Sequence, residues 1–179
     1  EDKKVDVLLK AIKVLQDTYQ IGLECVIAGI QPKDKYSQEL IEYAKTHNLN
    51  VEFKPLLKPE QLADFYNYLD LAVFPGSISI TTIEATGCGT PVIVYNSIAG
   101  LEDRVANGRG YLFDTYEELV KYIYDFYSKK QAGEICFEAV AKATEPYSWQ
   151  AITEAYKQDY RQLMAERLQG STLAKHEDS

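Results

Sequence analysis

The stretch Phe74-Pro75-Gly76-Ser77-Ile78-Ser79 closes an apolar run and leads straight into a predicted short helix over residues 81–87. The first amides of a helix lack partners within it and carry the positive end of its dipole, so such a junction suits an anion. Ser77, Ser79, Thr81 and Thr82 add hydroxyls that either cap the helix or touch a phosphate, and spacing alone leaves both readings open. Glu84 lies one turn into the helix, where the dipole favours a carboxylate whatever its role. The small residues after it, Ala85-Thr86-Gly87-Cys88-Gly89, permit close packing of helix on strand and could aim that carboxylate into a cleft. A carboxylate reaching the vicinal hydroxyls of a sugar is the device by which other nucleotide-binding folds read ribose.

Other chemistries find little support. Cys25, Cys88 and Cys136 form no C-x-x-C pair, and an odd number cannot pair fully within one chain, so they read as buried thiols. With only His47 and His176 and no Asp-x-Asp, neither a zinc site nor a Ser-His-Asp triad is indicated. The excess of 27 acidic over 19 basic residues, a net charge of −8, argues against nucleic acid as a partner. A phosphate-bearing ligand would therefore be held by a local site rather than by the overall field. No apolar run reaches the roughly 18 residues of a membrane helix, and no charged-then-apolar leader opens the chain.

The elements that must position these residues follow from periodicity. Residues 4–19 place Val5, Leu8, Ile12, Leu15 and Tyr19 at helical spacing, and residues 36–47 repeat the pattern with Leu40, Ile41 and Ala44. Pro59 sits where proline opens helices, ahead of Leu62, Ala63 and Tyr66. Short apolar runs at 24–28, 50–54, 71–74, 91–95 and 110–113 read as strands, and three helical stretches follow near 115–128, 132–144 and 148–168. The many tyrosines, Tyr122, Tyr124 and Tyr127 among them, read as half-buried packing residues with wet hydroxyls. Alternating strands and helices predict a Rossmann-like three-layer α/β/α domain with a parallel sheet, occupying residues 1–168. Residues 169–179 are expected to be a disordered tail. The chain opens on a helix, so the domain is expected to lack its first strand.

The run LDLAVFPGSISITTIEATGCGTPVIVYNSIAGLEDRV resembles the carboxyl-terminal half of family-4 glycosyltransferases of the GT-B fold. Glu1 to Leu9 is similar to that family's lysine-containing loop and first helix, and Val51 to Tyr66 to its strand, loop and helix beside the nucleotide base. Asn107 to Phe113 resembles its N-G-x-G turn, and Tyr147-Ser148-Trp149 its aromatic-Ser-Trp. The resemblance implies one half of a GT-B fold that binds a nucleotide-diphosphate sugar, UDP- or GDP-linked, for a retaining transfer that uses no metal and no cofactor. It implies that Glu84, matching the second acid of an E-x7-E motif, grips ribose hydroxyls. Lys3 matches the lysine that neutralises the departing diphosphate. Gly76, Ser77, Ser79, Ile80 and Thr81 fall in the turn around the phosphates, and Leu56 in the loop that meets the base.

This sequence departs from the family pattern at Gly76, which stands where the first acid of E-x7-E belongs. The family's amino-terminal acceptor domain is also missing, and neither His47 nor His176 matches the histidine that domain supplies. The expectation is therefore a donor-binding domain of a glycosyltransferase in polysaccharide or glycoconjugate synthesis, inactive when alone. The alternative is a non-catalytic, glycosyltransferase-like accessory or partner-binding domain, which Gly76 favours. The resemblance also implies a cytoplasmic place. Peripheral membrane association is common among such proteins, though the acidic balance lends it no support here. The final helix carries Ile152, Tyr156, Tyr160 and Leu163 on one side, which faces either its own domain or the missing one.

Overall fold

The computed structural model describes residues 2–174, with side chains through residue 167. It divides into two compact units, Glu1–Ala143 and Thr144–Ser179. In the first, helix α1 (Val5–Tyr19) leads to strand β1 (Cys25–Ala28), then α2 (Lys35–Thr46), β2 (Val51–Lys54), α3 (Pro59–Tyr68) and β3 (Ala72–Phe74). There follow α4 (Thr81–Gly87), β4 (Val92–Tyr95), α5 (Glu102–Val105), β5 (Gly110–Phe113), α6 (Tyr116–Gln131) and α7 (Phe137–Thr144). Local chemistry sets several boundaries. The Asp34 carboxylate accepts from the Ser37 amide at 2.9 Å to cap α2, and Thr115 with Glu118 forms a capping box at the start of α6.

All strand pairing is parallel, as predicted, but it is divided between two sheets rather than gathered into one. β1 pairs with β2 in the register Cys25 to Val51, and β3-β4-β5 form the other sheet with Val92 opposite Ala72 and Gly110. In the three-stranded sheet β4 is the centre. Ile93 packs with Ala11 and Leu15 of α1, Phe113 of β5, and Leu119 and Ile123 of α6. Val92 and Val94 face the other way, onto Tyr66 of α3, Ala85 of α4 and Leu101. Helices therefore cover both faces, which is the three-layer arrangement. Gly110 is required by closeness: a Cβ there would overlap the Val92 carbonyl oxygen and lie 2.8 Å from its carbon.

The two-stranded sheet is built differently. Ile27 packs with Leu9 and Ile12 of α1 and Leu40 and Ala44 of α2, with Cys25 and Phe53 against the same cluster. Only that face is filled; Val26 is half-buried and Ala28 exposed. The single turn α5 was not foreseen, and α7 begins at Phe137 rather than near residue 132, after a left-handed Gly133 (φ 71°) ends the preceding helical run.

The second unit consists of a 3₁₀ turn over Glu145–Tyr147 and helix α8 (Trp149–Ala174). Tyr156, Tyr160 and Leu163 are all exposed on α8, as is Trp149, while Ile152 is half-buried. The helix runs through residues 169–174, into the stretch expected to be disordered, and residues 175–179 lie outside the described residues.

Candidate functional site

Strand β3 ends at Phe74 and hands the chain to Pro75 and Gly76, both buried, then to Ser77, which is exposed. The loop before α1 lies directly on this turn. The Ser77 amide donates to the Asp2 carbonyl at 2.9 Å, and the Lys3 ammonium donates to the Ser77 carbonyl at 3.0 Å. A Cβ on Gly76 would overlap the Asp2 carbonyl oxygen and stand 2.7 Å from Lys3 Cα. Glycine is thus the residue that lets two backbone segments 74 positions apart touch, and it brings Lys3 to the turn. A glutamate at this position would have to push the Lys3 loop away.

Beyond the turn, the hydroxyls do not cap α4. Ser79 Oγ and Thr81 Oγ1 lie 2.6 Å apart and bond to each other, while buried Thr82 donates to the Ser79 carbonyl at 3.2 Å. The residue ahead of the helix is Ile80, which is 54% exposed and has no side chain able to cap. The seven residues of α4 give it a modest dipole, so its contribution is mainly the unpaired amides of its first turn. Glu84, in the first turn of α4, is exposed to solvent.

Tyr66 of α3 was not foreseen as part of this arrangement, although it packs under the turn. Its ring is buried, and its hydroxyl is hydrogen-bonded with Thr81. Burial first, then the nearby Glu84 carboxylate, push the phenol up to about 12, against the opposing effect of the Thr81 bond. Tyr66 therefore stays protonated and can donate. The signal was in the sequence, since Tyr66 falls on the apolar face of α3 with Leu62.

A cavity of about 950 Å³ gathers most of these groups. Lys3, Gly76, Ser77, Ser79, Thr81 and Leu56 line it, with Leu56 81% exposed. Of the residues singled out from sequence, Ile80 and Glu84 stand outside its wall, on the first turn of α4 and the residue before it. The rest of the wall is largely apolar and comes from α1, β1, α3, β3 and α6, with Glu24, Asp70, Lys130 and Gln131 adding charged and polar groups. The arrangement offers a cation, a turn of exposed backbone and hydroxyls, an apolar surface at Leu56 and a carboxylate one helical turn away. Such a set suits an anion carrying a flat apolar group and a polyol. Among the described residues, no group of three His, Cys, Asp or Glu side chains is placed to hold a metal ion, and no helix is long and apolar enough to cross a membrane.

Comparison with known proteins agrees with this reading of the fold. The sequence model described as glycosyl transferases group 1 matches residues 1–143. The D-inositol 3-phosphate glycosyltransferase of Paenarthrobacter aurescens is 29% identical over 172 residues, covering 91% of this chain and 42% of that protein. The chain thus spans less than half the length of this relative. Among solved structures, sucrose-phosphate synthase from Thermosynechococcus elongatus superposes with a TM-score of 0.70 at 23% identity, over 92% of this chain and 43% of the other. A mutant of S. aureus TarM in complex with Fondaparinux, alpha-GlcNAc-glycerol and UDP gives a TM-score of 0.71 at 17% identity, over 88% and 33%. At these identities the structural likeness speaks to the fold.

Proposed function

We propose a function on the premise that this chain belongs to the glycosyl transferases group 1, with GT-B glycosyltransferases as its structural neighbours: it binds the nucleotide diphosphate of an activated sugar. The observation that carries the proposal is the seating of Lys3 on the Ser77 carbonyl, beside the turn that opens α4. In this reading the Lys3 ammonium exchanges that carbonyl for a diphosphate oxygen. Ser79, Ile80 and Thr81 present amides and Ser77 its hydroxyl to the phosphates, Leu56 lies against the base, and Glu84 accepts from the ribose hydroxyls. Departure of a diphosphate from a sugar builds negative charge on the leaving oxygens. A fixed ammonium and preorganised amides stabilise that charge without a metal and with little reorganisation. Transfer itself, with retention at the sugar, requires an acceptor domain that this chain does not supply, so the chain alone transfers nothing.

Calorimetric titration with UDP and GDP tests the donor site. Saturable binding of one of them is expected. Glu84→Ala should weaken it by about 1.5–3 kcal/mol, roughly ten- to hundredfold, the worth of hydrogen bonds to a charged group. Absence of binding by a folded chain, or binding indifferent to Glu84→Ala and Lys3→Ala together, would overturn the proposal. Measurable sugar transfer by this chain alone would refute the inactivity.

A second reading rests on Gly76. The space a side chain would need there is filled by the Asp2 carbonyl and Lys3. The acid that the family places nearest the sugar is excluded unless the loop moves. That favours an accessory domain which keeps the fold and has given up catalysis. Assaying the full-length protein with Gly76 in place separates the two: sugar transfer supports the donor reading, and no transfer by a folded protein that binds neither UDP nor GDP supports the accessory reading.

A further inference from the structure

Tyr66 is fastened at both ends. Its carbonyl accepts from the buried Thr90 hydroxyl at 2.7 Å and from the Leu69 amide at 3.0 Å. Its ring lies in the core with Ala85 of α4 and Val92 and Val94 of β4. The hydroxyl at the far end of that ring bonds with Thr81, and Thr81 Oγ1 lies 2.6 Å from Ser79 Oγ. Three hydroxyls thus stand in a row from the core to exposed Ser79, and all three residues line the cavity already described. Each hydroxyl has a single hydrogen to give. Ser79 and Thr81 share one hydrogen between them, so their bond has two senses. In one, Ser79 turns its hydrogen outward; in the other it shows only lone pairs. The first sense attracts an anion and the second repels it.

We infer that Tyr66 is a positioning residue for the phosphate turn: it donates to Thr81, Thr81 donates to Ser79, and the Ser79 hydrogen is left to point at a phosphate oxygen. Burial decides the sense. A buried phenol that accepted from Thr81 would keep its own hydrogen without a partner, which is the costly arrangement. The phenol also retains that hydrogen through the neutral range, since burial and the Glu84 carboxylate both oppose its loss. Each link polarises the next, so Ser79 becomes a better donor than a lone serine. Tyr66 acts through Thr81 and Ser79 and does not meet the ligand in this role. The inference rests on the donor reading above and goes further, because it assigns the hydrogen-bond sense of the turn to a residue of α3. The phosphate gains a directed hydroxyl beside the amides and Lys3.

The test is calorimetric titration with UDP, GDP and inorganic pyrophosphate of the parent chain, Tyr66→Phe, Thr81→Val, Ser79→Ala and two double variants that join Ser79→Ala to each of the others. Phenylalanine keeps the ring in the core and removes only the hydroxyl, while Thr81→Val breaks the same row from outside the core. Each single substitution should weaken the ligand that the parent binds by about three- to tenfold, the worth of one hydrogen bond. The double variants decide between positioning and packing. With the Ser79 hydroxyl already gone, removing that of Tyr66 or Thr81 should have no further effect. An equal loss in both backgrounds would mean that Tyr66 or Thr81 acts by packing, and would overturn the inference. Parental affinity in Tyr66→Phe would overturn it too. A folded parent chain that binds none of the three ligands would overturn the donor reading and the inference together, whereas ligand binding with additive losses would overturn the inference alone.

Discussion

Strands β4 and β1 are both short apolar runs of four residues, and they have met different fates. In β4, Val92, Ile93 and Val94 are fully buried, with a strand on either side and helices on both faces. In β1 only Ile27 is buried, one edge is paired and one face is filled. The apolar run is the same kind of sequence in each case, so burial here measures the company a strand keeps and not its composition. The three-stranded sheet is the stable base of this unit, and the two-stranded sheet is held in place chiefly by α1 and α2.

Substitutions should expose that inequality. Ile93→Ala should cost about 4 kcal/mol of unfolding free energy in a urea titration, because it opens a cavity in a site with no freedom to collapse. Gly110→Ala should cost about 3 kcal/mol, since the new methyl group meets the Val92 backbone and not a movable side chain. Val26→Ala in β1 should cost under about 1 kcal/mol, because its side chain is only half-buried. A cost for Val26→Ala equal to that for Ile93→Ala would erase the comparison.

Thiol chemistry sharpens it further. Cys136 is exposed and should be alkylated first at pH 8, whereas burial pushes the Cys25 thiol up to about 12. That leaves about one thiolate in ten thousand at Cys25, so its modification should report only opening of the α1/α2 face of the smaller sheet. Rapid labelling of Cys25, read by mass spectrometry, would mean that even the covered face is loose.

The smallest effect concerns how α1 meets α2. The Tyr36 hydroxyl donates to Asp6 Oδ1 at 3.0 Å and accepts from the Asp6 amide at 3.1 Å. Burial works to raise the Asp6 carboxyl, but bonds from Lys10 and Tyr36 outweigh it and hold it below its ordinary 3.8. A depressed carboxyl contributes stability that is fully present above the unfolded value and is lost as pH falls through the folded one. Tyr36→Phe should cost about 0.5–1 kcal/mol at neutral pH, and the difference from the parent should shrink as pH drops below about 4. A difference that stays constant down to pH 2 would assign the loss to packing alone.

The sequence was most readable where burial and periodicity agree. The PVIVY run and the GYLF run became β4 and β5 nearly to the residue, and the Thr81–Gly87 helix fell where its small residues put it. ECVIA promised a buried strand on the same logic, yet an apolar run cannot reveal how many neighbours will pair with it. The one-turn α5 is too short to carry a period. At the site, Ser77, Ser79, Thr81 and Leu56 were legible because a strand end and a helix start lie next to them. Gly76 was legible only as a departure from a pattern. Its physical reason, the Asp2 backbone lying against it, is a contact made across the whole amino-terminal half of the unit. Tyr66 was passed over because its ring looks like ordinary core.

Helix α1 has a position that changes how the unit comes apart. Leu9 and Ile12 belong to the core of the smaller sheet, Ala11 and Leu15 to that of the larger, and Leu8 packs against both. A single helix thus carries the cooperativity between two sheets that share no ladder. Damage to α1 is felt twice, and substitutions in β1 and β4, distant from each other, are coupled through it. Such pairs should depart from additivity most when Leu8 is altered with them. The amino-terminal helix is the clasp that makes two half-structures melt as one.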